Sequence, residues 1–183
     1  MKILQKICFV LLLTTFSSVY GGDCFKDKDV DDCRVRAEQG ESWAQFNLGI
    51  AYDKGQGDIQ DYKESFKWYR LAAEQGLPQA QFNLGLMYGN GEGVLQDYKE
   101  AVKWWNKSAN QGIPEAQYNL GLMYAKGQGV LQDYAMAHMY FNIAASSGYK
   151  SAIKDRGVAE KKMTASQIAE AQRMAREWMR THQ

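Results

Sequence analysis

Residues 76–97 read GLPQAQFNLGLMYGNGEGVLQD, and residues 112–133 read GIPEAQYNLGLMYAKGQGVLQD, the same phrase one period of 36 residues later with no insertion. One period earlier, residues 40–61 read GESWAQFNLGIAYDKGQGDIQD. One period later only Gly148, Ala152 and Gly157 survive. Self-similarity at a fixed spacing of this length marks a solenoid, whose units cannot bury their apolar faces alone and must stack on neighbours.

Each unit divides into two helical stretches, expected in the second unit over 78–88 and 98–110. Pro78 and Pro114 suit the first turn of a helix, where the missing N–H costs nothing. Gly40, Gly76, Gly112 and Gly148 each follow a second helix and end it. Between the helices of a unit, Gly-x-Gly at 55–57, 91–93 and 127–129 permits a sharp antiparallel reversal. On the first helix Ala80, Gln81, Leu84, Gly85 and Tyr88 share one side, which is the packing face. Gly49, Gly85 and Gly121 fall mid-helix, where glycine costs about 1 kcal/mol relative to alanine. Their recurrence implies that an aromatic ring of the second helix lies over the missing side chain. The second helix has the rings to do so: Trp68 and Tyr69 in the first unit, Trp104 and Trp105 in the second. Small residues (Ser65, Ala72, Ala73; Ala101, Ser108, Ala109) and Tyr62 or Tyr98 complete that face, so these aromatics read as core.

The pattern Ala80, Leu84, Gly85, Tyr88, Gly91, Gly93, Asp97, Ala101, Trp104, Ala109, Gly112 resembles the Sel-1-like repeat, a relative of the tetratricopeptide repeat with a longer loop between its helices. The likeness covers about 120 residues, three times over. It implies an all-α fold: a right-handed α-solenoid of antiparallel helix pairs, with three 36-residue repeats over 40–147 and helical caps. Two departures, Ser65 for the alanine at this position and Asp58 for the valine seen as Val94 and Val130, suggest a somewhat looser first unit.

Caps are expected at both ends. Residues 29–39 align with a second helix alone, placing Ala37 at the position of Ala73 within a cap over 22–39. Residues 148–183 read as a degenerate half-repeat, in which Arg156 and Glu160 replace Leu and Tyr, followed by a capping helix. Thr164 with Gln167 forms a capping box that opens this helix, expected to run through His182. Its apolar side, Ile168, Ala171, Ala175, Trp178 and Met179, can cover the final unit, while Arg173, Arg176 and Arg180 face water. Residues 163–178 also resemble the C-terminal caps of many Sel-1-like proteins.

With 45% hydrophobic and 13% aromatic residues, the 183-residue chain has ample material for one folded domain. Setting aside Lys2 and Lys6 of its 22 basic residues leaves 20 against 21 acidic ones. No basic stripe exists to neutralise a phosphate backbone, which argues against a nucleic-acid partner. Residues 1–21 read as a signal peptide: Lys2 and Lys6 form the positive region, 7–13 the apolar run and 19–21 a small-residue cleavage site. That run is too short to span a bilayer, so stable membrane insertion after cleavage is not expected. The mature chain would then be periplasmic or secreted. Cys8 leaves with the signal, and the pair Cys24 and Cys33 that remains is expected to form a disulfide stapling the N-terminal cap, a gain of about 2–3 kcal/mol for so short a loop.

If the units stack as in related solenoids, the first helices line a concave surface. The positions pointing away from the packing face are Trp43, Asn47, Ile50 and Lys54, then Gln79, Asn83, Leu86 and Asn90, then Glu115, Asn119, Leu122 and Lys126. Asn47, Asn83 and Asn119 form a ladder of identical amides, each with a donor and an acceptor that can pair with the backbone of an extended peptide. The resemblance implies such a use, since tetratricopeptide domains bind through a matching position. Catalytic signals are thin: there is no HExxH, no Cys-x-x-Cys, no metal-spaced cluster and no phosphate loop, and no cofactor is expected. The Ser-x-x-Lys matches at Ser147 and Ser151 lack the companion motifs of serine β-lactamases.

The sequence therefore points to a non-enzymatic interaction module, monomeric, binding a protein or peptide on its concave face. The alternative carried by the resemblance is a cell-wall protein that binds or weakly hydrolyses β-lactams or muropeptides. Some secreted, cysteine-rich relatives are described in those terms, but their disulfides recur in every repeat.

Overall fold

A computed structural model describes residues 30–56 and 60–182. The described residues are almost entirely helical: α1 (Val30–Glu38), α2 (Ser42–Lys54), α3 (Tyr62–Glu74), α4 (Pro78–Asn90), α5 (Tyr98–Ala109), α6 (Pro114–Lys126), α7 (Tyr134–Ser146), α8 (Lys150–Glu160) and α9 (Ala165–Thr181). The three repeats are the pairs α2–α3, α4–α5 and α6–α7, and α3–α4, α5–α6 and α7–α8 form the joints between successive units. The chain is an α-solenoid. The signal segment, Cys24 and Asp58 lie outside the described residues; Cys33 is buried beside Ala37, Ala44 and Leu48.

Local chemistry sets the helix ends. Pro78 and Pro114 open α4 and α6, and Gly91 and Gly127 close them in the left-handed conformation. Asp61, Asp97 and Asp133 cap α3, α5 and α7, each accepting two backbone N–H groups at 2.8–3.1 Å. The loop between the helices of each unit is tied back by a glutamine: Gln60, Gln96 and Gln132 donate to the carbonyls of Asp53, Gly89 and Ala125 at 2.6–2.8 Å. The capping box of Thr164 and Gln167 is present, and α9 ends at Thr181, with His182 as its cap.

The mid-helix glycines are covered by rings, as their recurrence implies. A Cβ built on Gly49, Gly85 or Gly121 would lie 2.5 Å from an atom of Tyr69, Trp105 or Phe141 respectively. The first unit is not loosened by Ser65. That residue is fully buried, and its hydroxyl donates to the Gly49 carbonyl at 2.9 Å, tying α3 to α2 within the unit where alanine would make only a packing contact.

Buried glutamines join unit to unit. Gln45, Gln81 and Gln117 donate to the carbonyls of Ala37, Ala73 and Ala109, one helix back, at 3.1–3.3 Å. Gln75 and Gln111 then donate to the side-chain oxygens of Gln45 and Gln81 at 2.7 and 2.8 Å. The third position in that series is Ser147, too short for the task, and the Gln117 oxygen is left buried without a partner. Ser147→Gln is accordingly expected to raise stability by about 1 kcal/mol, the usual net worth of one hydrogen bond. The gain should appear as a higher denaturation midpoint and vanish in a Gln117→Leu background.

The C-terminal end departs from the repeat in a matched way. Arg156 and Glu160 on α8 meet polar partners on α7: His138 Nε2 lies 2.9 Å from a Glu160 oxygen, and Arg156 donates to Asn142 at 2.6 Å. His138 is fully buried, which makes it part of the cap's architecture. The last helix, α9, crosses back onto α7. Its Ala171 and Ala175 are buried, with Met174, Trp178 and Met179 packed against the core, while Arg173 and Arg180 pair with Glu170 and Glu177 at the surface. Gly157, in register with Gly121, consequently has no ring over it.

Candidate functional site

The strip read from the sequence lies along α2, α4 and α6, one row per helix. Lys54, Asn90, Glu115 and Lys126 are exposed, and Ile50, Leu86, Leu122 and the three asparagines are half-buried. Trp43 is 38% exposed and stands edge-on to Phe46, with ring centroids 5.8 Å apart. Gln79 is half-buried with its carbonyl oxygen turned inward.

The asparagine ladder is uniform in sequence and uneven in structure. Between the first two units, the Tyr69 ring reaches through the joint and its hydroxyl engages Asn83 and Ser65. Burial and the nearby Asp53 carboxylate push the Tyr69 pKa up, and these two hydrogen bonds work in the opposite direction. Asp53 itself is raised by burial and by Glu92, against a smaller lowering by Lys54. This joint is therefore acidic, with its amide already engaged.

One period on, Trp105 replaces Tyr69 and has no hydroxyl to offer. Its ring N–H turns instead to the Phe82 carbonyl at 3.2 Å, and Gly89, where the first unit has Asp53, makes room for the ring's far edge. The contact that Tyr69 makes with Asn83 thus has no counterpart at Asn119. In its place a cavity of about 250 Å3 opens between α4 and α6. Leu86, Asn90, Asn119 and Lys126 of the strip meet around it, joined by Met123, Trp105, Tyr98, Gln128 and Gly89. At the next joint the ladder continues as Asp155, which accepts from the Tyr118 hydroxyl at 2.6 Å. Burial, then that hydrogen bond and the Asp155 charge, push the Tyr118 pKa up to about 12. A smaller cavity of about 140 Å3 at this joint is walled by Leu122, Phe141 and Val158.

Sequence reading named the residues of the strip and gave no sign of the cavity. The signals were present in the exchanges of Tyr69 for Trp105 and of Asp53 for Gly89, which read as core variation until the ring positions are seen. Ser147 closes α7 and hydrogen-bonds at most the Ile143 carbonyl of its own helix, while Ser151 stands exposed in the first turn of α8. Among the described residues no group of three His, Cys, Asp or Glu side chains is placed to hold a metal ion.

The sequence matches the Sel1 repeat at residues 44–77, 78–113 and 114–149, more than half of the chain. The chain belongs to the Sel1 repeat family. Among solved structures it is similar to c5321, described as a protective antigen present in uropathogenic Escherichia coli strains and displaying an SLR fold. The two share 40% identity and a TM-score of 0.71 over 84% of this chain and 32% of that one. It is also similar to a Sel1 repeat protein from Oxalobacter formigenes, with 34% identity and a TM-score of 0.68 over 74% of this chain and 57% of the other. This chain thus spans about a third of the first structure and somewhat over half of the second. Among curated proteins no match was found. Sel1 repeats generally mediate protein–protein interaction, which is the coarse function that membership gives this chain.

Proposed function

We propose that this Sel1 repeat protein is an exported adaptor that binds a protein or an extended peptide along the strip on α2, α4 and α6, on the concave side of the solenoid. One observation carries the reading: the strip widens at the joint of the second and third repeats into a cavity whose lining combines apolar walls with amides and one lysine. Small-molecule and peptide sites have this composition, with apolar walls and a few convergent polar groups. Export rests on the apolar segment 7–13 behind Lys2 and Lys6, and among the described residues no helix is long and apolar enough to cross a membrane. A relative that is a protective antigen is in keeping with a protein met outside the cytoplasm.

The test is capture of partners from periplasmic and envelope extract by residues 22–183. A variant with Asn47, Asn83 and Asn119 all changed to Asp serves as the comparison, once circular dichroism shows that both fold alike. A partner held by the native protein and lost by the variant is the expected result. Equal capture by both would move the interface to the other side of the solenoid or to the caps.

A further inference from the structure

We propose that the cavity between the second and third repeats is a carboxylate-binding pocket, in which Lys126, Asn119 and Asn90 receive an acidic group of the bound peptide while Leu86, Met123 and Trp105 hold the apolar atoms beside it. This rests on the strip being the binding surface and adds the chemistry of its ligand.

The lining of the cavity decides the sign of the charge. Lys126 is its one ionised side chain, and none of the side chains around it is a carboxylate. The other polar groups can all donate: the amides of Asn90, Asn119 and Gln128 each carry an NH2. The Tyr98 hydroxyl already accepts from Gln96 at 3.1 Å, which leaves its own proton to give. A carboxylate accepts at two oxygens and gains most from donors that include a cation, because charge-assisted hydrogen bonds are about twice as strong as neutral ones. The joint one repeat earlier is an internal contrast built on the same backbone. There Asp53 stands where Gly89 has no side chain and the Trp105 ring edge lies, Glu92 stands where Gln128 donates, and the asparagine is engaged by Tyr69. A carboxylate entering that joint would meet two like charges with only Lys54 to offset them. The peptide's acidic group is thereby assigned to one rung of the ladder, and the ladder acquires a direction.

A carboxylate can come from a chain terminus or from an Asp or Glu side chain, and small probes separate the two. The native protein, with nitrogen-15 label, is titrated with N-acetyl-leucine for a terminal carboxylate and N-acetyl-glutamate α-amide for a side-chain carboxylate. N-acetyl-leucinamide is the neutral control. Expected are shifts of the Asn90 and Asn119 side-chain NH2 signals and of the Trp105 ring N–H with one or both acids, with Asn83 unmoved. The stronger acid identifies the source. Lys126→Glu, a change at an exposed position, should weaken the response about tenfold or more, the scale of a lost charge-assisted hydrogen bond. An equal response to N-acetyl-leucinamide, an unchanged response in Lys126→Glu, or no shift at Asn90 and Asn119 with any probe would overturn the proposal. Partner capture distinguishes this failure from failure of the adaptor reading. Loss of the partner in the triple Asn variant, with full retention in Lys126→Glu, would leave the strip as the interface and remove the carboxylate from it.

Discussion

Gly93→Ala is expected to lower the unfolding free energy by about 2–4 kcal/mol, and Gly129→Ala, its equivalent one repeat later, by a similar amount. Two independent costs meet at this position. Gly93 has φ of 70°, in the left-handed region where an alanine is strained by about 1 kcal/mol or more. The added Cβ would also fall inside van der Waals contact with the Tyr62 carbonyl, a backbone atom at the start of the preceding repeat's second helix. A side chain could rotate aside, but a helix N-terminus cannot, so the overpacking cost adds fully, at about 1–3 kcal/mol. The comparison is Gly112→Ala, which has a φ of 85° and nothing within 4 Å of the new methyl. That variant isolates the conformational cost. Urea denaturation followed by circular dichroism checks both, and a loss at Gly93 no larger than that at Gly112 would show that the loop does not bear on its neighbour.

The second large effect is one substitution with opposite signs at two equivalent positions. In an ordinary helix interior, glycine to alanine gains up to about 1 kcal/mol. At Gly85 the new methyl would lie 2.5 Å from Trp105 Nε1 and 2.6 Å from its Cδ1. The ring has no retreat: its N–H is bonded to the Phe82 carbonyl and its far edge is close to Gly89. Gly85→Ala should therefore cost about 2 kcal/mol net, with overpacking exceeding the gain in helix propensity. Gly157 occupies the same place in the fourth period, on α8, with nothing within 4 Å. Gly157→Ala should stabilise by up to about 1 kcal/mol. Thermal unfolding would show the two midpoints moving apart by several degrees, and a shift in the same direction for both would refute the covering-ring account.

The fold was legible because the sequence repeats it. A period of 36, glycines at the turns and small residues facing rings leave little freedom in how the helices pair, and Gly49, Gly85 and Gly121 even foretold rings that the structure places over them. The start of the middle unit's second helix was also readable, expected at residue 98, where Tyr98 opens α5. The site was legible only as a strip, because periodicity reports which residues are equivalent and not how equivalent positions differ in space. Asn83 and Asn119 are the same letter in the same frame, yet one is engaged by a tyrosine hydroxyl and the other faces a cavity. That difference is set by residues 14 positions earlier, Tyr69 and Trp105, which reach it across a joint between units. Ser65 gives the same lesson in the core: a polar letter in an alanine position looks like a defect until the Gly49 carbonyl is found opposite it. At the C-terminal end, His138 stands where the earlier units have Phe66 and Val102, and it changes together with Glu160, which stands where they have Tyr88 and Tyr124, an exchange of apolar or aromatic for polar partners that no single position discloses.

The buried glutamines also govern how such a protein can grow. Each of Gln45, Gln81 and Gln117 reaches a backbone carbonyl one helix back, so the bond asks nothing of its neighbour's side chains. A unit duplicated in the interior of the array brings its own connector and finds a ready acceptor, and lengthening there is chemically self-sufficient. The far end follows a different rule. Ile153 stands on α8 where the connector would be, and Arg156 and Glu160 are committed to α7, so an extra unit placed there would have to break bonds before making any. Tandem copying is thereby chemically easiest in the interior of the array, and the bonded joint of α7 and α8 resists it.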